Sequence, residues 1–223
     1  MRALIFAAGK GERMRPLTLH TPKPLLEIGG KPLIVWHIEK LAALGIGDIV
    51  VNTSWLAARF PEVLGDGSRW NLRLHYSYEG EEPLETGGGM LHALPLLGAA
   101  PFIAINGDIW TDCDFAKLPR EPQGRAHAVL VPMPGFRKPG TFEQLVSPML
   151  SDHADQLHTF SGIAVYRPEF IAHHTPARFS LTPDLIDCAR QGLLSVERLD
   201  GNWQDIGTPE RLAELDAQLV KTA

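Results

Sequence analysis

The residues with the clearest chemical purpose lie near the start of the chain, in Gly9-Lys10-Gly11-Glu12-Arg13-Met14-Arg15. Glycines let a backbone fold tightly against a bulky anion, and the exposed N–H groups of such a loop bind phosphate oxygens. Arg13 and Arg15 add fixed positive charge with a planar donor fork that matches phosphate. A further cation, Lys23, stands between Pro22 and Pro24, where a stiff extended segment holds it. Far downstream, Asp108 directly follows a short apolar run in Asn106-Gly107-Asp108. A carboxylate there, beside phosphate-binding loops, suits Mg²⁺, a hard cation that takes oxygen ligands and bridges phosphates. Asp112 and Asp114 read instead as turn or capping residues. Asp205, in Trp203-Gln-Asp-Ile-Gly-Thr-Pro209, is held between two apolar anchors, Trp203 and Ile206. Spacing alone leaves it open between a rigidly placed polar residue and a metal ligand.

The opening loop is neither of two common nucleotide signatures. The dinucleotide fingerprint needs a third glycine where Arg13 to Arg15 stand, followed by an uninterrupted helix, and Pro16 opposes that helix. A phosphate-binding loop of the Gly-Lys-Ser/Thr type is also absent.

These residues need elements to position them. Ala3 to Ala8 is a short apolar run, read as a buried strand that empties into the glycine loop. Pro32 opens a helical pattern over 33–44 that Gly45 ends, and Asp48 to Asn52 is a compact strand. Ser54 is expected to cap a short helix from Trp55 to Leu64, its later half weakened by Pro61. Leu72 to Tyr78 alternates as a strand does. After Thr86 a glycine triplet leads into a helix over 90–97, and Phe102 to Ile105 forms another buried strand. Ala126 to Pro132 and Thr159 to Tyr166 read as strands, separated by a long polar excursion over the site rim from Met133 to His158. Helices are expected over 182–191 and 209–220, the latter capped by Thr208.

Short apolar strands alternating with helices predict an α/β fold, a three-layer α/β/α arrangement around a mostly parallel central sheet. Sites in such sheets lie at the carboxyl ends of strands. Three loops rich in functional groups fall there: Gly9 to Arg13, Glu79 to Gly89, and Asn106 to Asp108.

With 223 residues the chain can bury a substantial core as a single domain. The net charge of −5 argues against nucleic acid or anionic membrane as partners, so the N-terminal arginines are local tools. Cys113 and Cys188 lie far apart without metal-ligand spacing, a usage that fits a reducing cytoplasm. No stretch has the form of a signal peptide or a membrane span, so a soluble protein is expected.

With these motifs in hand, the chain resembles the sugar-1-phosphate nucleotidyltransferases from Met1 to about Leu219. The resemblance rests on Ala-Ala-Gly-x-Gly-x-Arg-Met-x-Pro-Leu-Thr, on Pro22-Lys23-Pro24, on Asn106-Gly-Asp108 and on Trp203-x-Asp-Ile-Gly-Thr-Pro-Glu210. Leu84-Glu-Thr-Gly-Gly-Gly89 is similar to a bacterial subgroup acting on N-acetylmuramate 1-phosphate or heptose 1-phosphate, with the overall wording nearer the muramate enzymes. The resemblance implies a Rossmann-like nucleotidyltransferase fold. It also implies Mg²⁺-dependent transfer of a uridylyl group from UTP to N-acetylmuramic acid 1-phosphate in cell-wall recycling. A guanylyltransferase acting on heptose, mannose or glucose 1-phosphate is the alternative, and a non-catalytic nucleotide-sugar-binding module a second one.

By the same resemblance Asp108 and Asp205 hold the metal, while Arg13 and Lys23 act on the phosphates. Ala8, Gly9, Gly11, Glu79, Gly87 and Gly88 frame the nucleotide; Asn106, Gly140, Ser161 and Gly162 line the sugar pocket. Residues 1–125 form mainly the nucleotide half and 126–223 mainly the sugar half. The chain departs from the family in lacking a Glu-Lys-Pro element between Gly140 and Phe160 and in carrying Glu85 where many relatives have glycine. Lys138-Pro139 precedes that region and is not equated with the missing element, and the usual short hairpin is absent from Phe142 to His158. Arg137, Lys138 and His158 are candidate cations for a lactyl carboxylate, each otherwise an ordinary surface residue. Some relatives append a left-handed β-helix; none follows the last helix here, so no second activity is expected from one.

Overall fold

The computed structural model describes residues 1–135, 138–153 and 156–222. In chain order its elements are β1 (Arg2–Phe6), β2 (Glu27–Ile28), β3 (Lys31–Pro32), α1 (Leu33–Ala43), β4 (Asp48–Thr53), α2 (Arg59–Leu64), β5 (Arg73–Tyr78) and α3 (Glu85–Leu97). Then follow β6 (Phe102–Asn106), β7 (Ile109–Thr111), β8 (Ala126–Pro132), α4 (Thr141–Val146), β9 (His158–Tyr166), α5 (Thr182–Arg190), β10 (Leu194–Arg198), β11 (Trp203–Asp205) and α6 (Pro209–Thr222).

A seven-stranded sheet runs in the order β10-β8-β9-β6-β1-β4-β5. All of its strands are parallel except β9, which lies antiparallel between β6 and β8. Alternation divides the side chains between two faces. Ala3, Ile5, Ile49, Val51, Ile103 and Ile105 meet Ile34, Ile38, Leu41 and Phe60 from α1 and α2. Leu4, Val50, Phe102 and Ala104 meet Met90, Ala93, Phe142, Val146 and Leu185 from α3, α4 and α5. A sheet covered on both faces leaves its strand ends as the open edge, and the carboxyl ends of β1, β4, β5 and β6 lie together there. Because β9 runs the other way, it brings its first residues to that edge. Gly107 N donates to Phe6 O at 2.8 Å, which ties the loop after β6 to the loop after β1.

The expected elements form, with three differences. Ser54 does not cap a helix: its hydroxyl donates to Gly80 O at 2.7 Å, and only Arg59 to Leu64 becomes helical, with Pro61 tolerated in the first turn. The glycine triplet lies inside α3, which starts at Glu85 rather than at Met90. The polar excursion contains α4, whose Phe142 and Val146 are buried. Thr208 caps α6 as expected, accepting from Arg211 N at 3.4 Å.

Candidate functional site

The glycine loop leaves β1 under fixed geometry. Ala7 N donates to Asn52 Oδ1 at 2.6 Å, and Thr18 Oγ1 donates to Gly11 O at 2.8 Å. Gly11 has φ 61°, and a Cβ there would lie 2.9 Å from Thr18 Cγ2 and 3.3 Å from Lys23 Cβ, so glycine is required. The loop forms one wall of a cavity of about 620 Å³ lined by Ala8, Gly9, Gly11, Arg13, Lys23, Glu79, Asn106 and Asp108 among others.

Opposite the loop stands the segment from Glu79 into α3. The Glu79 carboxylate accepts from Asn52 Nδ2 at 2.5 Å and from Leu84 N at 2.8 Å. Burial pushes its pKa above the ordinary value, and those two bonds oppose the rise. Gly89 permits this approach, since a Cβ there would lie 2.3 Å from Glu79 Oε1. Gly87 and Gly88, expected to frame the nucleotide, are instead buried behind the cavity wall. They accommodate residues 173–181, a strap across the start of α3. A Cβ on Gly87 would meet the Phe179 ring at 2.4 Å, and one on Gly88 would meet Ala177 O at 2.3 Å. Phe179 O accepts from Gly87 N at 2.9 Å and from Gly88 N at 3.2 Å. Two of the first four N–H groups of α3 are thereby satisfied by protein. His174 stacks on Phe179 with centroids 4.4 Å apart, and its Nε2 lies 2.7 Å from Asp184 Oδ1. His173 Nε2 lies 3.5 Å from the same oxygen, so two imidazoles and one carboxylate brace the strap.

The strap also delivers Arg178 to the cavity, where its Nε donates to Glu85 Oε1 at 3.2 Å. Glu85 has φ 61°. For a side-chain-bearing residue this left-handed conformation costs about 1–2 kcal/mol, whereas an exposed ion pair returns only about 0–1 kcal/mol. A second pair, Lys10 with Glu82 at 2.8 Å, spans the loop and the opposite wall.

At the inner end, Lys23 Nζ lies 2.7 Å from Asp108 Oδ2, with Lys23 buried. Asp205 is brought beside Asp108 by a two-stranded antiparallel ribbon, β7 with β11, in which Asp205 pairs with Ile109. Ile206 N closes it by donating to Asp108 O at 3.0 Å. A methyl placed on Gly207 would lie 3.4 Å from both Arg13 Nη1 and Asp205 Oδ2, and 3.5 Å from Arg211 Nη1. Gly207 therefore lies in ordinary contact with Arg13 and with the Arg211–Asp205 ion pair, in which Arg211 Nη1 lies 3.3 Å from Asp205 Oδ2. His37 supports the ribbon from α1, its Nε2 lying 2.8 Å from Ile109 O. Complete burial holds His37 down to about 4, against the smaller raising effect of the Ile109 bond, so it is neutral at pH 7.

A second cavity, of about 420 Å³, adjoins the first at Arg13, Asn106 and Asp108. Gly140, Ser161, Gly162 and Asp205 line it. Gly162, at φ 87°, must be glycine, because a Cβ would lie 2.8 Å from Asn106 Nδ2. Ser161 is 1% exposed; its hydroxyl accepts from Ile163 N at 3.2 Å and its carbonyl accepts from Trp203 Nε1 at 2.8 Å. Glu143 was not foreseen. Its carboxylate accepts from Gly140 N and from Thr159 Oγ1, each at 2.9 Å, and it lines this cavity.

Of the cations expected for a carboxylate-bearing sugar, His158 is fully buried and Lys138 lies outside both cavity linings. Arg137 lies outside the described residues. Arg15 pairs with Glu12 at 3.5 Å and is not in either lining. Asp112 accepts from Asn202, and Asp114 accepts from Ala116 N, as turn and capping residues do. Sequence reasoning also missed Arg178, whose only signal was a positive charge in an otherwise uninformative segment.

Asp108 at the junction of the two cavities and Asp205 in the lining of the second, with Arg13 and the buried Lys23 alongside, form a donor set that fits a divalent cation between phosphates. The nucleotidyl transferase family model matches residues 2–138, and the chain belongs to that family. It is an enzyme of the sugar-1-phosphate nucleotidyltransferase type, a class that takes a nucleoside triphosphate and a sugar 1-phosphate and typically uses a divalent metal. It is 42% identical to the N-acetylmuramate alpha-1-phosphate uridylyltransferase of Neisseria meningitidis, over 97% of each chain. It is 29% identical to a mannose-1-phosphate guanylyltransferase of Mycobacterium tuberculosis, covering 98% of this chain and 64% of that one. A Bacillus anthracis structure, assigned as a glucose-1-phosphate thymidylyltransferase in complex with a sucrose, has the same fold. Its TM-score is 0.80 at 20% identity, covering 98% of this chain and 95% of that one. No helix among the described residues is long and apolar enough to cross a membrane.

Proposed function

We propose that this enzyme transfers the uridylyl group of UTP to N-acetylmuramic acid 1-phosphate, giving UDP-N-acetylmuramic acid and pyrophosphate. The observation that carries the choice of substrates is the 42% identity to the Neisseria enzyme across nearly all of both chains. The geometry agrees with a two-substrate transfer, because the two cavities adjoin at Arg13, Asn106 and Asp108. The larger cavity takes the nucleotide, and the smaller one, framed by Gly140, Ser161 and Gly162, takes the sugar. Residues 1–125 then supply most of the nucleotide side and 126–223 most of the sugar side. The use of UTP supports a cytoplasmic location, and the buried free thiols of Cys113 and Cys188 agree with a reducing compartment.

In the reaction an oxygen of the sugar phosphate attacks the α-phosphorus. A new P–O bond forms as the bond to the β-phosphate breaks, and pyrophosphate leaves with the electron pair. Such a transfer needs positioning and charge stabilisation more than covalent help. The N–H groups around Ala8, Gly9 and Gly11 receive the nucleotide, with Glu79 fixing the opposite wall. Arg13 faces both cavities and balances charge on the departing pyrophosphate. Lys23 moves from Asp108 to the α-phosphate or the incoming phosphate. Asp108 and Asp205 would hold Mg²⁺, which when bound supplies Lewis-acid stabilisation of phosphate charge.

The test is pyrophosphate release from a matrix of nucleoside triphosphates and sugar 1-phosphates, with and without Mg²⁺. A Mg²⁺-dependent signal confined to UTP with N-acetylmuramic acid 1-phosphate is the expected result. A signal with GTP and a heptose or mannose phosphate keeps the mechanism and overturns the substrates. Silence across the matrix, with nucleotide still bound, makes the chain a binding module.

A further inference from the structure

The Glu85–Arg178 pair is out of keeping with a purely structural role. Glu85 holds its side chain at the cavity from a strained left-handed backbone, φ 61°. The ion pair it gains is exposed, with 45% of the Glu85 side chain and 61% of the Arg178 side chain accessible. Screened by solvent, that pair repays little of the strain. Arg178, in turn, is no loose surface residue. Its neighbour Phe179 is locked to α3 by bonds to Leu84, Gly87 and Gly88, and is backed by the His174 ring. Both charged groups line the nucleotide-side cavity on the wall that carries Glu79, facing the glycine loop.

We propose that Glu85 and Arg178 read the nucleobase, selecting a ring carbonyl beside a ring N–H. This rests on the larger cavity being the nucleotide site. Arginine offers only donors and carboxylate only acceptors. With Arg178 Nε engaged by Glu85 Oε1, the terminal guanidinium nitrogens still donate and Glu85 Oε2 still accepts. Side by side, the two groups complement a carbonyl oxygen next to an N–H. Uracil presents that edge at O4 and N3, and guanine at O6 and N1. Cytosine and adenine present an amino group next to a bare ring nitrogen, which sets donor against donor and acceptor against acceptor. The strained backbone is what aims the carboxylate beside the guanidinium instead of along α3.

The experiment is direct titration of UTP, GTP, CTP and ATP into the full-length protein without sugar phosphate, for wild type, Glu85→Gly, Glu85→Gln and Arg178→Ala. Wild type is expected to bind UTP or GTP in preference to CTP and ATP. Each variant should weaken the preferred nucleotide roughly tenfold and narrow its preference over CTP by a similar factor, the scale of one lost base contact. Glu85→Gly should do so without lowering the melting temperature, since glycine accepts the backbone conformation. Glu85→Gln keeps the side chain's size and separates loss of charge from loss of fold. An unchanged UTP-to-CTP ratio in folded variants overturns the assignment, as does an equal loss for all four nucleotides. Wild-type protein that binds no nucleoside triphosphate overturns the reading of the cavity, and the pair's role with it. Wild-type binding with unchanged variants overturns the pair alone.

Discussion

The larger cavity draws most of its wall from loops that begin where parallel strands end: Ala7 to Arg13 after β1, Glu79 to Thr86 after β5, and Asn106 to Asp108 after β6. The smaller cavity is assembled differently. Its lining comes from the start of α4, the first residues of antiparallel β9, the side of α5, and the β7–β11 ribbon. Phosphate can be held by backbone N–H groups and charges that one short loop supplies, so the glycine-loop part of that wall is contiguous in sequence. The second surface depends on which strand lies beside which. Its neighbours are fixed by register, as Gly162 is against Asn106 because Ile163 pairs with Ile105. The lesson is that acceptor preference can change through β9 and α4 while the glycine loop stays as it is.

The sharpest test lies where the cavities adjoin. Asp108 belongs to both linings and Asp205 to the second, yet the ribbon makes them one unit. Asp108→Asn and Asp205→Asn should each lower turnover on the order of a few hundredfold. The double variant should be little worse than either single one, because groups acting as a unit are non-additive. Pyrophosphate release measures the loss, with circular dichroism to check the fold. A near-normal rate in either single variant removes that residue from the proposed metal site.

His37 tests whether the ribbon depends on the core beneath it. Its folded pKa of about 4 lies below the ordinary value of 6.5, so the unfolded chain binds the proton more readily. Stability from the neutral buried ring is therefore full above pH 6.5 and is lost as pH falls toward 4. At pH 5 the loss is about 2 kcal/mol, roughly thirtyfold in the folding equilibrium. Urea midpoints at pH 7.5 and pH 5 should show that drop, and His37→Phe should flatten it. An equal drop in the variant would falsify the assignment.

The smallest expected effect separates the two cavities. Glu143→Gln leaves the larger cavity untouched but disturbs a carboxylate anchored by Gly140 N and Thr159 Oγ1. The KM for the sugar phosphate should rise roughly tenfold, the cost of one altered polar contact of about 1.4 kcal/mol. The dissociation constant for the nucleotide should stay put. Equal weakening of both substrates would mean that the cavities respond as a single site.

What the sequence by itself determined is whatever a few consecutive residues can specify. The alternating apolar strands announced a doubly covered, mostly parallel sheet. Gly9, Gly11, Arg13, Lys23 and Asp108 stood out because glycine loops and charges at strand ends have a local chemical meaning. Tertiary structure alone decided the rest. Asp205 was open on spacing alone and tied to the metal only by family resemblance; its position beside Asp108 comes from hydrogen bonds across the β7–β11 ribbon, and from no feature of its own segment. Gly87 and Gly88 were expected to frame the nucleotide, but their N–H groups are taken by Phe179, more than ninety residues further along. Arg178 and Glu143 were invisible for the same reason. A charged residue acquires a role only from the cavity it faces, and that cavity exists only once strand register and helix packing have closed around it.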